Sequence, residues 1–180
     1  MIIFRPPFIT SSLPMNFRLK SSLSLLALLA LGGCATPYVA PSDPSSARLL
    51  LENNNTQHIV NFATFDDGET CQASTVKRIT LDSSGNWGIA PAGKHEIRIK
   101  PGEPFTLSSS VGTGCEVMIT FLPKKDAVYR ASFTFREQYC FLTVERAVQD
   151  SRTGQRYVPE ESARKREPVA GLANGGSSCK

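Results

Sequence analysis

Apolar and polar positions alternate with a period of two through the middle of the chain. The clearest run is Lys94–Lys100, where Lys94, Glu96, Arg98 and Lys100 fall on one side and His95, Ile97 and Ile99 on the other. Such alternation is the mark of a strand with one face buried and one wet. Residues 127–135 place Tyr129, Ala131, Phe133 and Phe135 together, opposite Arg130, Ser132 and Thr134. Cys140, Leu142 and Val144 alternate with Phe141, Thr143 and Glu145, and Val117, Ile119 and Phe121 alternate with Glu116, Met118 and Thr120. Residues 47–52 and 57–65 are further strand candidates, with Asn53-Asn54-Asn55 between them suited to a hairpin turn. Arg156-Tyr157-Val158 reads as a last short strand.

Chain breakers recur at strand spacing: Asp66-Asp67-Gly68, Ser83-Ser84-Gly85-Asn86, Pro91-Ala92-Gly93, Pro101-Gly102-Glu103-Pro104, Gly112-Thr113-Gly114 and Pro123-Lys124-Lys125-Asp126. No window shows a helical apolar stripe. Short strands with regular turns predict an all-β fold, an antiparallel β-sandwich over 47–158, with a small β-barrel as the alternative. About 100 residues are enough for one core. Beyond Pro159 the chain turns polar and small, and 159–180 reads as a disordered tail. Within it, Arg164-Lys165-Arg166 is nearly cancelled by Glu160, Glu161 and Glu167, so a solvated run is expected rather than an anion-binding one.

The N-terminus has a different pattern. Met15-Asn16-Phe17-Arg18-Leu19-Lys20 is a short basic region, followed by the apolar run Leu23–Leu31 and then Leu31-Gly32-Gly33-Cys34. The run is too short for a stop-transfer helix and has the length of a signal-peptide core. Pro6, Pro7 and Pro14 would break a helical leader, so Met15 reads as the true start. The order of basic region, apolar run and Leu-Gly-Gly-Cys resembles the lipobox of bacterial lipoproteins. That resemblance implies removal of 1–33, acylation at Cys34 and anchoring of the mature chain in a membrane. Ala35, rather than Asp, follows the Cys, which by the same analogy implies the outer membrane and its periplasmic face. Residues 34–46 then form a lipidated Cys and a tether carrying Pro37, Pro41 and Pro44. The formal charge of +4 comes mainly from Arg5, Arg18 and Lys20, with no acid in 1–33. The remainder is almost neutral, which argues against a nucleic-acid partner.

An exported chain lives where disulfides persist, so Cys71, Cys115, Cys140 and Cys179 are expected to pair. Four cysteines allow three connectivities. If 116–122 and 127–135 form a hairpin, and 127–135 also pairs with 140–146, Cys115 and Cys140 flank a shared strand about 10 Å apart. That is too far for a bond. The expectation is therefore Cys71–Cys115 with Cys140–Cys179, Cys179 being the member able to stay free or to pair between chains.

Catalytic constellations are sparse. There is no GxSxG, HExxH, Walker loop or strand-linked GxGxxG, and no CxxC spacing. His58 and His95 sit in strand-like runs and read as structural, Gly112-Thr113-Gly114 as a turn, and Asp66-Asp67-Gly68-Glu69 as a solvated acidic turn. No metal, cofactor or catalytic residue is implied. Trp87, in Asn86-Trp87-Gly88, either packs on the end of the sandwich or contacts a partner or glycan. The segment Pro91–Ile99 is similar to the opening strand of PEGA-like extracellular sandwiches, and the layout resembles small proteobacterial lipoproteins. The expected function is a non-enzymatic, membrane-anchored envelope module with a structural or assembly role through a protein partner. The alternatives are a module binding cell-wall glycan or a host factor, and a cryptic hydrolase.

Overall fold

The computed structural model describes residues 36–79, 88–112, 114–152, 154–169 and 176–180. Cys34 with its preceding leader, the Ser83–Asn86 turn and Trp87 lie outside the described residues. The strands are β1 (Thr36–Pro37), β2 (Ala47–Asn53), β3 (Asn61–Phe65), β4 (Val76–Ile79), β5 (Lys94–Ile99), β6 (Phe105–Val111), β7 (Cys115–Phe121), β8 (Val128–Arg136), β9 (Tyr139–Asp150), β10 (Gly154–Pro159) and β11 (Arg164–Arg166). Sheet A runs β1-β4-β3-β6-β7-β11 and sheet B runs β10-β9-β8-β2-β5. Neither closes into a barrel; the fold is a β-sandwich. Its ladders are antiparallel except for β1–β4 and β2–β8, which are parallel.

The alternation seen in the sequence sets the inner faces. Leu49 and Leu51 of β2 stand beside Ile97 and His95 of β5, and beside Tyr129 and Ala131 of β8. Leu142 and Val144 continue the layer opposite Phe133 and Ala131. Across the gap lie Phe62, Leu107, Ile119 and Phe121 of sheet A, all buried. Phe121 contacts Tyr129 at a centroid distance of 5.1 Å, joining the two sheets at the centre. The Tyr129 hydroxyl accepts from the Lys124 amide at 2.9 Å, so its polar end is satisfied.

Two hairpins expected from the sequence do not form. β2 lies in sheet B and β3 in sheet A, so 54–60 is a crossover. None of Asn53, Asn54 and Asn55 has positive φ. Asn53, 1% exposed, holds the crossover instead. Its amide donates to the carbonyls of His58 and Ile89 at 2.8 Å each, and its Oδ1 accepts from the Asn55 amide at 2.9 Å. Likewise β7 belongs to sheet A and β8 to sheet B. Cys115 and Cys140 therefore face each other between sheets rather than across a shared strand. They are bonded, with Cα atoms 6.0 Å apart, and Cys71 bonds Cys179 with Cα atoms 5.7 Å apart. The expected Cys71–Cys115 and Cys140–Cys179 pairing is thus replaced by the third connectivity.

The described residues 36–46 and 159–169 are more ordered than their composition suggested. Thr36–Pro37 pairs with Lys77 and Arg78 at the edge of sheet A. Tyr38 then donates its hydroxyl to the Arg98 carbonyl at 2.6 Å, and burial pushes its pKa up to about 12. The tail carries β11, antiparallel to β7, and Arg164 and Arg166 both pair with Glu69. A local composition of charged and small residues cannot reveal a segment whose order is supplied by a distant cysteine and carboxylate.

Loop-closure entropy gives roughly 4.8 kcal/mol for a loop the length of Cys71–Cys179 and roughly 3.5 kcal/mol for that of Cys115–Cys140. Replacing both cysteines of the first bond by Ala is expected to lower the urea midpoint more than the same change in the second. Non-reducing peptide mapping is expected to recover Cys71 linked to Cys179; recovery of Cys71 linked to Cys115 would overturn the connectivity.

Candidate functional site

Two surface features could bind something. The first is on the outer face of sheet A. Side chains pointing outward from β4, β3, β6 and β7 form rows, because neighbouring strands in register present the same face. One row is Arg78, Ala63, Ser108 and Met118; the next is Asn61, Ser110 and Glu116. The far part of this face is covered. Loop residues 66–71 lie over Thr106 and Thr120, whose hydroxyls meet each other at 2.5 Å, and Thr106 also donates to the Gly68 carbonyl. A Cβ on Gly68 would collide with the Pro104 carbonyl, so only glycine lets the loop come this close. Over Phe65, Val76 and Met118 sits the Cys71–Cys179 bond, making a small second core.

Between this covered part and the open rows lies a cavity of about 390 Å³. Its inner end is apolar, with Phe65, Val76 and Met118, and its mouth carries Asn61, Arg78, Ser110 and Glu116. Ser178 of the C-terminal segment forms one side. Ser108 donates to the Glu116 carboxylate at 2.8 Å. Gly88, which follows Trp87 in the sequence, also lines the cavity.

The second feature is the edge of sheet B. Among the described residues β10 pairs only with Glu145–Asp150 of β9 and no strand pairs with Tyr139–Val144 on that side, where Cys140–Thr143 share a cavity of about 190 Å³ with Met118, Arg166 and Pro168. The β8–β9 hairpin turns through Glu137 and Gln138, with φ of 52° and 70°, the geometry of a two-residue type I′ turn. In that hairpin Arg136 and Tyr139 exchange backbone bonds, so Cys140 and Leu142 turn theirs outward. The Val144 carbonyl, on the same side, is taken by the Glu160 amide at 3.0 Å. Tyr139 and Phe141, 68% and 52% exposed, stand on the outer face beside this open edge. An unpaired edge with no charge in six residues is a ready template for another strand.

The rest of sheet B's outer face is an ion-pair lattice. Glu52, almost fully buried, meets Lys94 at 2.8 Å and accepts from Ser132 at 2.9 Å. Arg130 bridges Glu52 and Glu145 and lies 4.2 Å over the Tyr157 ring. Burial pushes the Glu52 carboxyl up, but the Lys94 and Ser132 hydrogen bonds and the Lys94 and Arg130 charges outweigh it, leaving it below the usual glutamate range.

The other residues singled out in the sequence are occupied in structure. His95 is half-buried on β5, and burial lowers its pKa. His58 stacks edge-on with Phe135 at 5.4 Å. Asp67 caps its own turn, accepting from the Glu69 amide at 2.8 Å, and Asp66 pairs with Lys77 at 2.9 Å. Among the described residues no group of three or more His, Cys, Asp or Glu could hold a metal, and no helix is long and apolar enough to cross a membrane. The cavity escaped the sequence reading because its walls come from four strands and the chain terminus, and β4 and β6 show no clean alternation. No family model matches the chain, and no curated protein is similar to it in sequence.

Glu52→Gln is expected to cost roughly 2 kcal/mol at pH 7, the worth of charged hydrogen bonds to a buried acceptor. Because the folded pKa is lowered, that stability is complete above the ordinary glutamate range and is lost as pH falls through the folded value. The gap between the two proteins in urea unfolding is expected to shrink steadily as pH falls below the ordinary glutamate range; a gap that stays undiminished into acid would show that the charge is not the cause.

Proposed function

We propose that the chain is an exported lipoprotein, acylated at Cys34 and held at the periplasmic face of a bacterial outer membrane, whose sandwich works by binding a protein partner. The observation that carries the binding role is the open edge of β9, where exposed Tyr139 and Phe141 flank outward-facing backbone groups of Cys140 and Leu142. A partner strand added there gains main-chain hydrogen bonds and two aromatic anchors. The Leu31-Gly32-Gly33-Cys34 sequence supports the anchor. The two disulfides support an oxidising compartment. Three acyl-type chains at one cysteine would hold the domain stably, at about 0.8 kcal/mol per buried CH₂.

A second reading is favoured by the sheet A cavity, with the chain's Trp87 next in sequence to its lining residue Gly88: a module that takes a small envelope component, cell-wall glycan among them. The two readings use opposite faces and separate by mutation.

Cys34→Ala is expected to abolish palmitate labelling and leave unprocessed precursor; normal labelling would overturn the anchor. Crosslinking in intact cells is expected to trap a discrete envelope protein and to lose it in Phe141→Asp. Unchanged capture by that variant would remove the β9 edge as the docking site. Co-sedimentation with purified peptidoglycan, reduced in Trp87→Ala, would favour the second reading.

A further inference from the structure

The open edge of β9 does not stand alone. The cavity of about 190 Å³ beside it reaches across the sandwich to β11, the last strand of sheet A, and takes in Lys165 and Arg166. Residues paired across two strands present the same face, so Lys165, opposite the core residue Ile119, stands on the inner face of sheet A. Arg164 and Arg166 point the other way and pair with Glu69. Lys165 itself is exposed and makes no ion pair among the described residues. Glu116 also lines the cavity, but it belongs to the outer face, next to Met118, and accepts from Ser108. Val117, Ile119 and Leu142 supply the apolar wall. Together these make a slot: unpaired backbone along β9, an apolar wall, and an ammonium at the inner rim.

We propose that this slot takes an extended acidic segment of a protein partner, laid as an added strand on β9, with one carboxylate side chain turned inward to Lys165. This rests on the β9-edge reading and names the chemistry of the partner. The register dictates the pattern. Partner residues opposite Cys140 and Leu142 receive their main-chain bonds and, sharing their face, point into the slot. Those opposite Tyr139, Phe141 and Thr143 lie on the outer face against the two exposed rings. The two inward positions meet an apolar wall and an ammonium, so one apolar and one acidic residue fit them. A carboxylate on an ammonium belongs to the stronger class of hydrogen bond. A second copy of this chain fits worse. Its own β9 would present Cys140 and Leu142 at the inward positions and no acid. Pairing two such edges about a two-fold axis would also bring one Lys165 toward the other, the kind of charge that keeps edges from self-pairing.

The test is selection from a phage-displayed library of random nonapeptides on the full chain, extracted in detergent. Enriched peptides are expected to alternate in polarity and carry an acidic residue at one inward position. Their binding is expected to be lost in Phe141→Asp and to weaken about tenfold in Lys165→Gln. Replacing the peptide's acid by its amide is expected to cost about tenfold against wild type and nothing against Lys165→Gln, a coupling that general destabilisation would not produce. Lys165→Glu is expected to select basic peptides in place of acidic ones. Folding of each variant is checked by its thermal melt and its Cys115–Cys140 linkage. Peptides that depend on Phe141 but lack an acid, or are indifferent to Lys165, would overturn the acidic class and keep the β9 edge as the docking site. No enrichment dependent on Phe141 would overturn both. A concentration-dependent dimer in sedimentation, lost in Phe141→Asp, would overturn the acidic partner in favour of a second copy.

Discussion

The bond between Cys71 and Cys179 is what gives sheet A an outer layer. Strands β3, β6 and β7 could bury one face against sheet B without it. Their other face carries Phe65, Met118, Thr106 and Thr120, all largely hidden from water. What hides them is the loop ending at Cys71 and the terminal segment holding Cys179. Neither has enough apolar surface of its own to stay down, since the ordering of each residue costs about 1–2 kcal/mol. The covalent link removes most of the freedom that would otherwise pull them away. Glu69 then finds Arg164 and Arg166, and Ser178 finds the Cys71 carbonyl at 2.7 Å. Arg166 also donates to the Glu69 carbonyl, so the loop is tied through both backbone and side chain.

This arrangement also explains the composition of β6. Phe105-Thr106-Leu107-Ser108-Ser109-Ser110-Val111 shows no alternation, because the strand is central and covered on both faces for much of its length. Small hydroxyl residues fit where a loop lies close above a strand. The same covering leaves one part of the face open, and that opening is the cavity. The charged lattice on sheet B serves a different end. Glu52, Arg130 and Glu145 link β2, β8 and β9 on the wet side, where a hydrophobic contact would be exposed.

The sequence showed the strands whose two faces differ in polarity. β5, β8 and β9 alternate cleanly and were legible, as were the inward positions of Ile97, Ile99, Tyr129, Ala131 and Phe133. Which strands share a sheet was not legible. Alternation fixes a face, not a neighbour, and a short polar connection such as 122–127 serves a hairpin or a crossover equally. That ambiguity misplaced Cys115 and Cys140, and with them every pairing. The order of the described parts of the tail and the tether was hidden for a related reason: it depends on contacts more than 30 residues away in the chain, as in Arg164 with Glu69 and Tyr38 with Arg98. Of the candidate sites, Cys34 was carried wholly by local sequence, while the open edge of β9 depends on where β10 ends.

The parallel pairing of Thr36–Pro37 with β4 has a geometric consequence for a lipid-bearing Cys34. Consecutive Cα atoms are about 3.8 Å apart, so an acylated sulfur attached two residues earlier has almost no slack. On the acylation proposed at Cys34, only two residues would separate the lipid from β1, and the sandwich would stay close to the headgroups. Rotation about the bilayer normal would remain free while tumbling would be lost. Anything meeting this protein would then encounter it from a restricted set of directions, much as a key fixed to a ring meets a lock.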